Sequence, residues 1–202
     1  MTLYLWDLAD TLFPEKWNAE LTGFENFEDY VMSLGVDEKN PRAFEQCYRE
    51  PYIHGERFNL RITDGFAEVL SRTKHNETFT TGIREQMDWR AEYLNPRVGF
   101  DIKKYFQKIV TTFDFGETNV KTPEVLEKYI AQRQADGYDT IVYTDDKLAN
   151  CELFKQAADS VGISYRVYNI KNDGGGLRDK GWYWEIGDLY DFLGNEKSYE
   201  KL

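Results

Sequence analysis

Two cysteines, two histidines and a shortage of basic side chains limit what this chain can be. Cys47 and Cys151 lie far apart without CxxC spacing, so they read as reduced core thiols rather than a disulfide or a zinc site. With His54 and His75 alone, a Ser-His-Asp triad or a zinc cluster lacks material. Acidic residues outnumber basic ones 36 to 25, for a net charge of -11. A nucleic-acid binder normally carries a basic face, so that class is excluded as an expectation. A phosphorylated substrate is not, because a metal or a local basic pocket can invert the field in one cleft. No run approaches the roughly 18 apolar residues of a membrane span. The first residues show no basic region or small-residue cleavage site. A cytoplasmic protein without a membrane partner is the expectation, and the sequence does not speak to oligomeric state.

What is present fits one sizeable core with a small inserted module: 202 residues, 41% hydrophobic and 30% charged. Leu3-Tyr4-Leu5-Trp6 reads as an apolar strand that stops at Asp7. Leu8-Ala9 then leads to Asp10 and Thr11. From Glu15 to about Leu60 there is no strong strand signal. Phe27, Tyr30, Val31 and Leu34 stand at helical spacing up to Gly35. Asn40-Pro41 reads as an N-cap and first helical position, and Pro51 is expected to close that helix. A short pair of helices of this size suits a lid.

Beyond Leu60 strands and helices alternate. Asp64-Gly65 opens a helix with Phe66, Val69, Leu70 and Thr73 facing inward. Thr78-Phe79-Thr80-Thr81-Gly82 is a short polar strand ending in hydroxyls. A helix through Ile83, Met87, Ala91 and Leu94 is expected to stop at Asn95-Pro96. Lys108–Thr112 is a third strand, and Pro123 starts a helix that ends at Asp136-Gly137. Thr140–Thr144 is an apolar strand ending at Asp145-Asp146. A helix to Gly162 and a strand over Tyr165–Tyr168 follow. This alternation predicts a mainly parallel sheet covered on both faces. Gly174-Gly175-Gly176 lacks the Lys-Ser/Thr of a P-loop and reads as a flexible loop. Ile186, Leu189, Tyr190 and Leu193 predict an amphipathic helix docked on the sheet. Trp182 and Trp184 read as core or docking aromatics.

The chemistry is expected at strand ends. In a parallel sheet the C-terminal ends of neighbouring strands converge on one crevice, so Asp7, Thr80 and Asp145 can meet there. Carboxylates ~4 Å apart repel by about 4 kcal/mol at an effective dielectric near 20. A hard divalent cation removes that penalty and also binds phosphate oxygens.

The stretch from Leu3 to Thr11 resembles the first signature of the haloacid dehalogenase superfamily, a hydrophobic strand followed by D-x-D-x-T. Here the pattern is Asp7, Ala9 where the second Asp is usual, and Thr11. Thr80-Thr81-Gly82 resembles the second signature, Lys121-Thr122-Pro123-Glu124 the third, and Asp145-Asp146 the fourth. The resemblance therefore runs from Leu3 to about Ile170. It implies a three-layer Rossmann-like parallel sheet, with a core of 1–14 and 62–202 and a helical cap of 15–61 inserted after the first strand.

The resemblance also implies roles. Asp7 would be the nucleophile of a phosphohydrolase that acts on a phosphorylated small molecule, forming an aspartyl-phosphate. Thr80 and Lys121 would hold phosphoryl oxygens, with Thr11, Thr81 and Gly82 completing the substrate site. Mg²⁺ would be held by Asp7, Asp145, Asp146 and the backbone carbonyl of Ala9. In phosphatases of the superfamily the residue at position 9 protonates the leaving oxygen, which a methyl group cannot do. Losing a general acid–base costs ~10²–10⁴-fold in rate, so turnover is expected to suffer more than binding.

Three readings of Ala9 stay open: a substrate-trapping variant of a native Asp, a native Ala with Asp10 or a cap residue as proton donor, and a phosphonatase-like C–P hydrolase. The last would use Lys16 or Lys39 as a Schiff base. A metal- and phosphate-binding pseudoenzyme is the non-catalytic alternative. Arg42, Arg49, Arg57 and Trp17 are the cap's candidate substrate contacts.

Overall fold

The computed structural model describes residues 1–37, 39–116 and 118–199. Its frame is a seven-stranded, mostly parallel sheet with helices on both faces, an α/β architecture. In chain order the first strand is β1 (Thr2–Trp6), followed by four short helices, α1 (Ala19–Thr22), α2 (Phe27–Ser33), α3 (Pro41–Gln46) and α4 (Arg49–Ile53). Then come α5 (Phe66–Arg72), β2 (Asn76–Thr80), α6 (Glu85–Val98), β3 (Lys108–Thr111), α7 (Pro123–Ala135), β4 (Thr140–Asp145), α8 (Leu148–Val161) and β5 (Ser164–Ile170). The chain closes with β6 (Arg178–Asp179), β7 (Trp184–Ile186) and α9 (Leu189–Tyr199). The strand order is β3-β2-β1-β4-β5-β7-β6, and only β6 runs antiparallel to its neighbour.

β1 lies inside the sheet, between β2 and β4, because both its faces are apolar. Side chains alternate along a strand, so Leu3 and Leu5 pack on one side with Leu126, Ile130 and Phe154 of α7 and α8. Tyr4 and Trp6 pack on the other with Val69 of α5 and Phe192 of α9. A strand buried on both faces reads as a continuous hydrophobic run.

Between β1 and α5 the chain forms a helical excursion with its own aromatic packing. Trp17, Phe27, Tyr48 and Phe58 stack edge and face, with ring centroids 4.0 to 5.7 Å apart. Asn26 and Asn40 cap α2 and α3 through their side-chain oxygens, accepting from the N–H groups of Asp29 and Ala43. The outgoing and returning chains run side by side at the base. Lys16 N–H donates to the Phe58 carbonyl at 2.6 Å, and Asn18 N–H to the Arg57 carbonyl at 2.7 Å.

Four sequence expectations are corrected. Pro51 does not end a helix: the break falls at Cys47-Tyr48, and Pro51 sits in the first turn of α4, where its missing N–H has no partner to lose. Pro96 lies inside the last turn of α6, which continues to Val98 and ends at Gly99, whose φ of 77° turns the chain away. Ile186 belongs to strand β7, and the last helix starts only at Leu189. The glycine-rich loop carries the two-residue strand β6, which pairs with β7. Both cysteines are buried and free, as expected.

Candidate functional site

The site grows out of register. Trp6 pairs with Thr144 across β1 and β4, and the Asp7 N–H extends that ladder by donating to the Thr144 carbonyl at 2.9 Å. Asp7 and Asp145 therefore follow paired residues on adjacent parallel strands, which lie about 4.8 Å apart. The two carboxylates meet at the C-terminal edge of the sheet.

Lys121, just ahead of α7, resolves their repulsion. Its ammonium donates to Asp7 Oδ1 at 2.6 Å and to Asp145 Oδ2 at 2.7 Å. The lysine side chain is 1% exposed and that of Asp145 is 0% exposed, so this is a buried triad rather than a surface pair. Asp145 accepts further bonds from the Tyr143 hydroxyl at 2.6 Å, the Lys147 N–H at 2.8 Å and the Asn150 amide at 3.1 Å. Asn169 donates to the carbonyls of Asp145 and Asp146 and so holds the strand end.

The turn after β1 wraps around this edge. Leu12 and Phe13 N–H groups both return to the Leu8 carbonyl, and Ala9 and Phe13 form a bridge that closes the loop. Asp10 takes a left-handed φ of 56°, which Asp tolerates. Thr11 is fully buried; its hydroxyl accepts from the Asp146 N–H at 3.0 Å and lies 3.4 Å from Asp7 Oδ2. Thr63 in turn donates to the Thr11 carbonyl at 3.0 Å.

These contacts set the electrostatics. Burial raises the Asp7 carboxyl to about 6 despite the opposing pull of Lys121. Burial, together with the charges of Asp7 and Asp145, raises Asp146 to about 7. Burial works against the charged form of Asp145 as well, but Lys121 and the Tyr143 hydroxyl outweigh it and hold that carboxyl below the usual range. The same two carboxylates raise Lys121 against the effect of its own burial.

One oxygen each from Asp7, Asp145 and Asp146 can be chosen so that all lie within 4.8 Å of one another. An all-oxygen, carboxylate donor set suits a hard cation such as Mg²⁺ or Ca²⁺ rather than zinc or copper. Both Asp145 oxygens are already committed to donors, so the least committed ligands are on Asp7 and Asp146. Mg²⁺ usually takes one or two carboxylates and fills the rest of its shell with water and phosphate oxygens.

Among the expected site residues, Asp7, Thr11, Lys121, Asp145 and Asp146 are joined by hydrogen bonds. Thr80 is buried at the end of β2, the strand beside β1. Among the described residues, no hydrogen bond joins Thr80, Thr81 or Gly82 to the acids. The Thr81 carbonyl accepts from Thr112, and Gly82 packs against the Gln86 side chain. The cap contacts expected from sequence do not line the cleft beside Asp146. Trp17 is packed among aromatics, Arg49 pairs with Glu50, and Arg42 lies over the Phe113 ring. That cleft, about 510 Å³, is bordered instead by Lys16, Arg61 and Lys171, with Asp10 and Glu15.

Sequence reasoning missed Tyr143, Asn150 and Asn169. Tyr143 was readable from period two, since it stands two residues before Asp145 and so on the same strand face. Asn169 has no local signal; only the β4–β5 register brings it opposite Asp145. No protein-family model matches this chain, and no curated protein matches it. No helix among the described residues is long and apolar enough to cross a membrane.

Proposed function

We propose that this chain is a phosphohydrolase of the haloacid dehalogenase type that acts on a phosphorylated small molecule, with Asp7 as nucleophile. The observation that carries the reading is the buried Asp7–Lys121–Asp145 triad, with Asp146 beside it at one sheet edge. Burying two carboxylates around one ammonium, with a third half-buried carboxylate beside them, costs desolvation that structural packing alone would not require. The parallel sheet is read as a Rossmann-like core of 1–14 and 62–202, and the helical excursion of 15–61 as its cap. The nucleophile's role comes from the resemblance, and the acid cluster at the sheet edge supports it, since fold alone does not imply chemistry.

In this reading an Asp7 carboxylate oxygen attacks phosphorus, the bond to the leaving oxygen breaks, and Asp7 carries the phosphoryl group. Water then attacks that phosphorus, the bond to Asp7 breaks, and inorganic phosphate leaves with the carboxylate restored. Lys121 fixes the Asp7 carboxylate and offers positive charge where the phosphoryl oxygens gather. Asp145 holds Lys121, while Tyr143, Asn150 and the Lys147 N–H hold Asp145. Mg²⁺ bound by Asp7 and Asp146, with Asp145 and the Ala9 carbonyl at hand, would supply further neutralisation of the phosphoryl charge. Ala9 has no proton to give the leaving oxygen, so water, Asp10 or a cap residue must supply it.

That missing proton supports a second reading, a metal- and phosphate-binding pseudoenzyme. A phosphonatase-like chemistry is less favoured: Lys16 and Lys39 are both exposed, and a Schiff-base lysine needs the desolvation that lowers its pKa. Phosphate release from an aryl phosphate with Mg²⁺ tests the proposal on the chain, on Asp7→Asn and on Ala9→Asp. Release that disappears in Asp7→Asn supports the nucleophile, and robust release in Asp7→Asn refutes it. Mg²⁺ binding without release in any form favours the pseudoenzyme.

A further inference from the structure

The cleft beside Asp146 has a charge pattern of its own. It lies between residues 14–16, 59–61 and 170–172, with Asp10 and Asp146 on its border. Lys16, Arg61 and Lys171 all line it and are all exposed. Among the described residues none of the three side chains makes an ion pair. This sets Arg61 apart from most other arginines, whereas most lysines among the described residues, like Lys16 and Lys171, also lack an ion pair. Most of the other arginines pair with a carboxylate, from Arg49–Glu50 to Arg178–Glu185.

Among the described residues, none of the acids around the cleft forms an ion pair with these cations. Glu15 accepts from the buried Arg90 at 3.2 Å and from the Tyr52 hydroxyl at 3.0 Å. Asp10 Oδ1 accepts from the Glu15 N–H at 3.0 Å. Asp146 belongs to the acid cluster. Glu15 is thus taken up by Arg90, while Asp10 and Asp146 keep their charge, and Lys16, Arg61 and Lys171 face a space next to the proposed phosphoryl site.

Their backbones are fixed. Lys16 N–H donates to Phe58, Arg61 N–H to the Pro14 carbonyl at 3.3 Å, and Lys171 N–H to the Ile186 carbonyl at 2.9 Å. The Asn59 amide donates to the Lys16 carbonyl at 3.0 Å, and Asn172 donates to the Asp10 carbonyl. Only the side chains, not the backbone, have to settle around a ligand, which limits the entropy lost on binding.

We infer that this cleft receives the leaving-group end of the substrate and that this end carries a second anionic group, a carboxylate or a phosphate. The inference rests on the reading of the acid cluster as a phosphoryl site and adds the substrate class to it. A volume of about 510 Å³ suits a small phosphorylated acid or a bisphosphate. Exposed ion pairs contribute little singly, so three together support about tenfold in affinity. That advantage should shrink with salt, since exposed charges are screened.

Calorimetric titration of the full chain with Mg²⁺ at low salt tests this without requiring turnover. The probes are glycerol 3-phosphate, 3-phosphoglycerate and 1,3-propanediol bisphosphate, which share a three-carbon frame. The two doubly anionic probes are expected to bind about tenfold more tightly than glycerol 3-phosphate, and the carboxylate and bisphosphate arms show which anion is preferred. The ratio should fall towards one in Lys16→Gln/Arg61→Gln, and partly in Lys171→Gln. Equal affinity of all three probes for the unaltered chain would overturn the inference while leaving the phosphoryl site intact. An unchanged ratio in the double variant would overturn the assignment to these cations. No heat from any probe, inorganic phosphate included, would sink the phosphoryl site itself.

Discussion

At Ala9 a methyl group stands two residues beyond the proposed nucleophile, and the turn that holds it is closed by backbone bonds at Leu8, Phe13 and Asp10. Without an acid at that position, turnover should depend steeply on how good the leaving oxygen is. Aryl phosphates are expected to react and alkyl phosphates scarcely. Ala9→Asp should raise kcat on an alkyl phosphate by about 10²–10⁴-fold and on an aryl phosphate far less. Steady-state phosphate release on the two classes checks this. Lys121 is the other decisive residue. Lys121→Met leaves Asp7 and Asp145 as adjacent buried carboxylates, and breaking such a pair costs about 3–5 kcal/mol. Urea unfolding in EDTA should show that loss, and added Mg²⁺ should recover part of it. A loss that Mg²⁺ leaves untouched would mean that the acids do not share a cation.

At the scale of elements, the end of the chain shows how packing rather than pattern places a strand. β7 and α9 meet at Gly187, where an added Cβ would collide with the backbone of Gly174, Gly175 and Gly176. The three-glycine run thus packs against a fourth glycine, and the loop is held rather than loose. Gly187→Ala should cost at least about 1–3 kcal/mol, as overpacking does. Gly194, inside α9, has no neighbour within 4 Å of an added Cβ. Gly194→Ala should therefore stabilise the helix by about 1 kcal/mol. Paired thermal melts of the two variants separate steric collision from helix propensity. The same scale explains the proline corrections. Pro51 falls in the first turn of α4, where a missing N–H costs little, whereas Pro96 forgoes a bond to the Glu92 carbonyl and α6 ends two residues later at Val98.

For the whole molecule, the buried acids set a pH dependence. Asp7 is raised to about 6 and Asp146 to about 7, and Glu15 and Glu45 are also raised, in every case chiefly by burial. As pH climbs from about 4 to about 7 the unfolded chain releases protons that the folded chain retains, so stability falls across that window. Asp145, held below the usual range, contributes stability that is lost only at lower pH. In EDTA the melting temperature should drop between pH 5 and pH 8. Mg²⁺ binds the ionised acids, so its stabilising effect should be larger at pH 8 than at pH 5.5. A melting temperature that rises over this range in EDTA would contradict the burial argument.

The local code was enough for the alternation of strands and helices, for the Asn40 cap of α3, and for acids at the tips of β1 and β4. Those features depend on residues close in sequence, through hydrophobic period and capping chemistry. Lys121 could be named from its resemblance to a signature, but only folding brings it 114 positions back along the chain to Asp7. The tie from Asn169 to the carbonyls of Asp145 and Asp146, and the three cations beside Asp146 without ion pairs among the described residues, were decided by tertiary structure alone. Which charges cancel and which stay free depends on distances between elements, and a linear pattern of residue types carries no record of those distances.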